Sequence, residues 1–210
     1  NIETTKFFEV NNFKDLKESA KNLNYNCILK TQELGYDGKG QSPIKKENLH
    51  QFENKILQNC IIEEKVNFKF EISVIVARNS SNTIVYPPVK NIHKESILRE
   101  TIFPAKIDNH LKESAIEKAI HISENLDLNG ILAVEMFITH KDQILINELA
   151  PRPHNSGHWT MDACKFSQFD NLVSIINCNK VCEPKPYRNC KMINIIGEEY
   201  LSLKTIKNNY

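Results

Sequence analysis

Two acidic residues, Glu135 and Glu148, fall in two apolar, strand-like runs, Gly130 to Phe137 and Gln143 to Leu149, whose connection centres on Lys141 and Asp142. A hairpin about that centre sets Glu135 directly across from Glu148, on the face shared by Ile131, Ala133, Ile144 and Ile146. Like charges so opposed repel unless a cation lies between them, and a hard ion such as Mg2+ prefers carboxylate and phosphate oxygens. A register slipped by one residue sends the two carboxylates to opposite faces and leaves one solvated at a strand end. Both readings follow from the spacing.

A second group of residues speaks of phosphate. The stretch Gly35-Tyr36-Asp37-Gly38-Lys39-Gly40-Gln41 follows a strand-like run containing Lys30, and its glycines permit the close backbone approach that turns N–H groups around phosphate oxygens. Lys30 and Lys39 place positive charge on either side. Hairpin loops are glycine-rich for conformational reasons alone, and no Gly-Lys-Ser/Thr opens a helix here, so this is not a Walker A loop. The third group is the run Asn147 to Trp159. Pro151 and Pro153 stiffen it, while Arg152, His154, Asn155, Ser156 and His158 offer donors suited to an anionic substrate. Zinc binding by His154 and His158 would need a helix, which Pro153 and Gly157 oppose.

The elements that must carry these residues can be read from periodicity. A strand over Thr5 to Val10, a helix over Asn12 to Leu23 capped by Asn11 or Asn12, a strand over Cys27 to Thr31, a loop from Glu33 to Pro43 and a helix over Lys45 to Leu57 make a small α/β unit. Strands over Ile61 to Glu64, Phe68 to Arg78, Thr83 to Lys90 and Ile97 to Phe103 then form a mainly antiparallel sheet. A helix over His110 to Leu126, the two strands bearing Glu135 and Glu148, and a helix over Ser167 to Ile176 complete the chain. The fold class is α+β.

Composition narrows the partners. With 27 basic and 26 acidic side chains among 210 residues the net charge is +1, which calls for neither nucleic acid nor an anionic membrane, so phosphate binding must be local. The longest apolar runs, Ile72 to Ala77 and Gly130 to Val134, fall far short of the roughly 20 residues of a membrane span. No secretory leader follows Asn1, and six cysteines without a Cys-x-x-Cys pair read as reduced thiols of a cytoplasmic protein. A chain beginning with Asn1 reads as a piece of a longer polypeptide.

Taken together, Leu29-Lys30-Thr31 with Gly35 to Gln41, Ile62-Glu63-Glu64, Glu71 and Asn147 to Trp159 resemble the signature series of the carboxyaminoimidazole ribonucleotide synthetases, a family of ATP-grasp ligases. The resemblance implies an ATP-grasp fold with a lid subdomain over residues 1–62 and a larger antiparallel-sheet subdomain over residues 63–210. It implies carboxylation of aminoimidazole ribonucleotide with ATP and bicarbonate, through carboxyphosphate. By that resemblance Lys30 holds ATP phosphates beneath a mobile loop of Gly35, Tyr36, Asp37, Gly38, Lys39, Gly40 and Gln41. Glu63, Glu64, Lys65 and Val66 read adenine, Glu71 takes the ribose hydroxyls and His93 lies near the nucleotide. Glu135 and Glu148, beside Asn147, hold Mg2+. Arg152 and His154 face bicarbonate and ribonucleotide, and Asn155, Ser156, Gly157 and His158 help to bind the latter.

The family also has an N-terminal domain before the segment resembling Asn1 to Val10 and a further portion after Gly197. The expectation is therefore that these residues alone do not turn over substrate and that the parent is a homodimer. Another ATP-grasp carboxylase or ligase, or a non-catalytic ATP-binding module, is the competing reading.

Overall fold

A computed structural model describes residues 2–32 and 40–202. The first elements follow from short-range chemistry. Strand β1 (Phe7–Val10) leads into helix α1 (Phe13–Asn22), whose cap is Asn12. The Asn12 side chain accepts the Asp15 N–H at 3.0 Å and donates to the Asp15 carboxylate at 2.9 Å, satisfying donors that a helix start leaves open. Asn24 and Tyr25 then turn the chain through positive φ into β2 (Cys27–Thr31).

Strand β3 (Gln41–Ile44) pairs antiparallel with β2, so the last part of the expected loop from Glu33 to Pro43 is an edge strand. The expected helix over Lys45 to Leu57 is absent; only one 3-10 turn forms, Leu49–Phe52. Asn48 explains this locally. Its side chain accepts the Lys45 N–H at 2.8 Å and donates to the Pro43 carbonyl at 2.9 Å, offering the backbone a turn where a helix would have begun.

With β4 (Cys60–Glu64) these strands make a four-stranded sheet in the order β1-β4-β2-β3. One face buries Val10, Cys27, Leu29, Cys60 and Ile62 against Leu16, Ala20, Leu23, Leu49, Phe52 and Leu57. This sheet and α1 belong to one compact unit, comprising residues 1–69, 95–97 and 136–147. Residues 62 and 63 both lie within β4, inside that unit.

The other sheet has the order β10-β9-β5-β7-β8-β11, with β6 paired to β5. Its strands are β5 (Phe68–Arg78), β6 (Thr83–Val85), β7 (Val89–Lys94), β8 (Ile97–Phe103), β9 (Gly130–Thr139), β10 (Ile144–Ala150) and β11 (Cys190–Ile193). The single strand expected over Thr83 to Lys90 is thus two strands, broken where Pro87 and Pro88 lack the N–H a ladder needs. Helix α2 (Asn109–Asn125) buries Leu111, Ala115, Ala119 and Ile122 of the apolar stripe that its spacing predicts, whereas Ile116 is half-buried and Leu126, just past the helix end, is exposed.

The second compact unit comprises residues 70–94, 98–135 and 148–210. Its core gathers Ile75, Ala77, Tyr86, Val89, Ile131 and Ala133 with Trp159, Ala163 and Ile175. Trp159 stacks on Phe103 with ring centroids 4.2 Å apart, so the lone indole packs. Two further helices, α3 (Thr160–Ala163) and α4 (Gln168–Ile176), follow it; Ser167 and Asp170 form a capping box at the start of α4. Among the described residues no helix is long and apolar enough to cross a membrane.

Candidate functional site

In the first unit the register assembles polar residues on the sheet face opposite the core. Lys30 lies across from Gln41 on one side and Ile61 on the other, and Glu63 across from Ile28, so Lys30, Gln41 and Glu63 share that face. Lys30 and Glu63 are diagonal neighbours and form an ion pair, and buried Glu63 also accepts the Thr5 hydroxyl at 3.3 Å. A cation held in this way must exchange one anionic partner for another before it can meet a phosphate.

Glu64 and Lys65 donate their backbone N–H groups to Lys6 and Asn26 carbonyls, and Val66 is half-buried beyond them. Gly35 to Lys39 lie outside the described residues. Gly40 has φ +77, its carbonyl accepts the Thr31 N–H, and a Cβ there would fall 2.5 Å from Thr31 Oγ1. Glycine is therefore required where the loop rejoins β3.

In the second unit the acidic residues converge on one imidazole. Glu71 on β5 and His93 on β7 meet with Oε2 and Nδ1 2.6 Å apart. Burial works to push the His93 imidazole down, but the Glu71 hydrogen bond and charge, joined by the fields of Glu135 and Glu148, outweigh it and hold His93 above its ordinary value. The three carboxylates and His93 thus act within one locality.

At its turn the hairpin carrying two of them pairs one residue away from the expected register. The Thr139 N–H bonds to the Gln143 carbonyl and Asp142 adopts φ 56, so the turn centres on Lys141. A strict ladder from this turn sets Val134, rather than Glu135, across from Glu148. The alternation along β10 also breaks where Glu148 and Leu149 are exposed in succession. Glu135 is half-buried on β9. The two carboxylates bear on one imidazole.

Beyond β10, exposed Arg152 donates to the Pro153 carbonyl at 3.1 Å, and the chain turns through a 3-10 segment, Asn155–Gly157. His154 is buried and caps that segment. Its Nδ1 accepts the Ser156 N–H at 3.3 Å and lies 2.8 Å from the Ser156 hydroxyl. Burial, then the charges of Arg152, His93 and His158, push His154 down to about 4. Glu135 Oε1 lies 3.8 Å from the same nitrogen, yet a neutral ring accepting at Nδ1 makes no ion pair; its proton sits on Nε2. His158, also pushed down by burial, stacks on Phe169 at 5.8 Å.

Two polar partners lacked any short-range signal. The resemblance gives Glu63 a part in reading adenine; its carboxylate also holds Lys30. Gln168, fully buried, donates to the His154 carbonyl at 2.7 Å and accepts the His154 N–H at 3.0 Å. Its location on the buried stripe of α4 with Asn171 is a sign that could have marked it: an amide at a core position needs partners.

Among the described residues no three His, Cys, Asp or Glu side chains are arranged to enclose a metal. Two carboxylates that share a locality fit a hard ion whose remaining ligands are phosphate oxygens and water, the usual situation of Mg2+.

The chain resembles known proteins throughout. It is 39% identical over 188 residues to the N5-carboxyaminoimidazole ribonucleotide synthase of Bacillus subtilis (strain 168), covering 88% of this chain and 50% of that protein. A solved ADP complex of an N5-carboxyaminoimidazole ribonucleotide synthetase superposes with a TM-score of 0.91 at 41% identity, over 99% of this chain and 56% of that one. The Aspergillus clavatus enzyme, solved with ADP and 5-aminoimidazole ribonucleotide, gives a TM-score of 0.85 at 26% identity over 98% of this chain and 56% of that one. The chain therefore spans about half the length of the relatives it matches. The model of the ATP-grasp domain matches residues 1–169, and with the two antiparallel sheets and the polar faces described above this establishes that the chain belongs to the ATP-grasp family.

Proposed function

We propose that this chain is the ATP-binding part of an N5-carboxyaminoimidazole ribonucleotide synthase, which carboxylates 5-aminoimidazole ribonucleotide with ATP and bicarbonate in cytoplasmic purine biosynthesis, the parent working as a homodimer. The observation that carries the reading is the polar locality in which Glu71 meets His93 at 2.6 Å and Glu135 stands 3.8 Å from His154, with the charges of Glu148 and Arg152 felt there as well. The relatives' own ligands, ADP and the aminoimidazole ribonucleotide, support it.

In this reading residues 1–62 form the lid and residues 63–210 carry the metal and substrate groups. Lys30 exchanges Glu63 for nucleotide phosphate beneath the loop Gly35 to Gln41, the backbone from Glu63 to Val66 borders adenine, and Glu71 with His93 orients the ribose. Glu135 and Glu148, with Asn147, would hold Mg2+, which would offset charge on the transferring phosphoryl group. A bicarbonate oxygen attacks the γ-phosphorus and ADP leaves; the exocyclic amine of the ribonucleotide then attacks the carboxyl carbon of carboxyphosphate and phosphate leaves. Arg152 holds anionic oxygens, and neutral His154 donates from Nε2 without competing as a second cation. Asn155 to His158 shape the ribonucleotide side. Carboxyphosphate hydrolyses readily, so a loop that excludes water protects it.

The test is ADP release by the full-length protein with Mg2+ and bicarbonate, with and without aminoimidazole ribonucleotide. Strong stimulation by the ribonucleotide, abolished in Glu148→Ala, is the expected result. Nucleotide binding without stimulation would point to another ATP-grasp acceptor. Nucleotide affinity unchanged in Glu148→Ala would point to a non-catalytic binding module.

A further inference from the structure

Helix α4 turns its polar side inward: Gln168, Asn171 and Ile175 are buried, whereas Phe169, Val173 and Ile176 are exposed. Exchanging apolar residues for amides in a core costs stability unless every polar atom is partnered. For Gln168 the partners are specific. Its amide takes both backbone polar groups of His154, much as a neighbouring strand would, across a sequence separation of 14 residues.

The arrangement closes on itself. The Gln168 N–H donates to Thr160 Oγ1 at 3.1 Å, and the Thr160 hydroxyl donates to the Gly157 carbonyl at 2.6 Å. Both ends of the loop from His154 to Gly157 are thereby tied to one side-chain circuit. Gly157 makes room for it, since a Cβ there would stand 2.6 Å from Gln168 Oε1 and closer still to Ile75 Cδ1.

We infer that Gln168 is a positioning residue: by pairing with the peptide N–H and carbonyl of His154 it sets the backbone from which Arg152 and His154 project toward substrate. The inference rests on the proposed function for the word substrate alone; the backbone geometry stands without it. A side chain that merely filled the core would need only its volume, which methionine matches closely.

The experiment compares Gln168→Met and Gln168→Glu in the full-length protein, by amide hydrogen exchange and by steady-state ADP release. In Gln168→Met the His154 amide loses its acceptor and is expected to exchange about tenfold faster or more, while amides in β5 and the body of α4 keep their wild-type rates. The ribonucleotide-stimulated kcat is expected to fall about tenfold to a hundredfold with the KM for ATP unchanged, the cost of a reacting group displaced by a fraction of an ångström to an ångström. Gln168→Glu keeps an acceptor for that amide and should restore its slow exchange and part of kcat.

Unchanged exchange at His154, faster exchange throughout α4 and β5, or an unchanged kcat in Gln168→Met would each overturn the inference. If the wild-type protein shows no ribonucleotide stimulation, the functional reading fails while the exchange comparison still decides the role of Gln168.

Discussion

His93 shows how one side chain can couple a binding site to stability. The imidazole is worth more to the fold when charged, because Glu71 accepts from it at 2.6 Å and two more carboxylates add their fields. Its folded pKa stands above the ordinary 6.5 of an unfolded chain. The stabilisation is therefore fully present below about pH 6.5 and is lost as pH rises through the folded value. In Glu71→Gln the gap in Tm from the wild type should be widest near pH 6 and should narrow toward about pH 9. A gap that is constant or grows with pH would contradict this assignment. The pairing was not legible from spacing. Glu71 faces Asn91 across the ladder, so His93 is its diagonal neighbour on the next strand, and that register is set by the whole sheet. Resemblance supplied both residues; only the structure supplies their contact.

Elements marked by apolar periodicity or a helix cap were legible, and those decided by a single side-chain hydrogen bond or by tertiary contacts were not. Strands β2, β5 and β8 have the limits their apolar patterns predict, and α1 starts at Asn12, one of the two expected caps. The segment after β3 failed to become a helix because one Asn side chain satisfied the turn, a detail below the reach of periodicity. Helix α4 is the sharper case. Its existence follows from Ser167 and its apolar content, but the face it buries is the one carrying Gln168 and Asn171. Asn171 donates to Tyr86 Oη at 2.7 Å and to the Cys182 carbonyl at 2.9 Å, and accepts the Cys182 N–H at 2.8 Å. Asn171→Leu, though a better helix former, should cost about 2–3 kcal/mol in urea unfolding because the half-buried Cys182 N–H and carbonyl lose their partner and the buried Tyr86 hydroxyl keeps only the Phe166 carbonyl. A variant as stable as the wild type would mean that those groups find other partners.

At the scale of the molecule, a net charge of +1 conceals strongly local fields: a lysine held on one sheet face, three carboxylates about a histidine on the other sheet. The fold class was accessible because each unit has its own apolar core with its own sequence pattern. Both cores also contain cysteines. Burial pushes the Cys27 thiol up to about 11 and the Cys164 thiol up to about 12, and raises Cys60 as well, whereas Cys178 is exposed. A thiol reagent applied to the native protein at neutral pH should modify Cys178 at once and reach Cys27, Cys60 and Cys164 only through opening events. Immediate modification of Cys164 would show its core to be open. Since Cys27 and Cys60 lie in one unit and Cys164 in the other, each unit carries its own chemical clock. Equal labelling rates would make unfolding a single cooperative event, and unequal rates would measure, without any added probe, which unit gives way first.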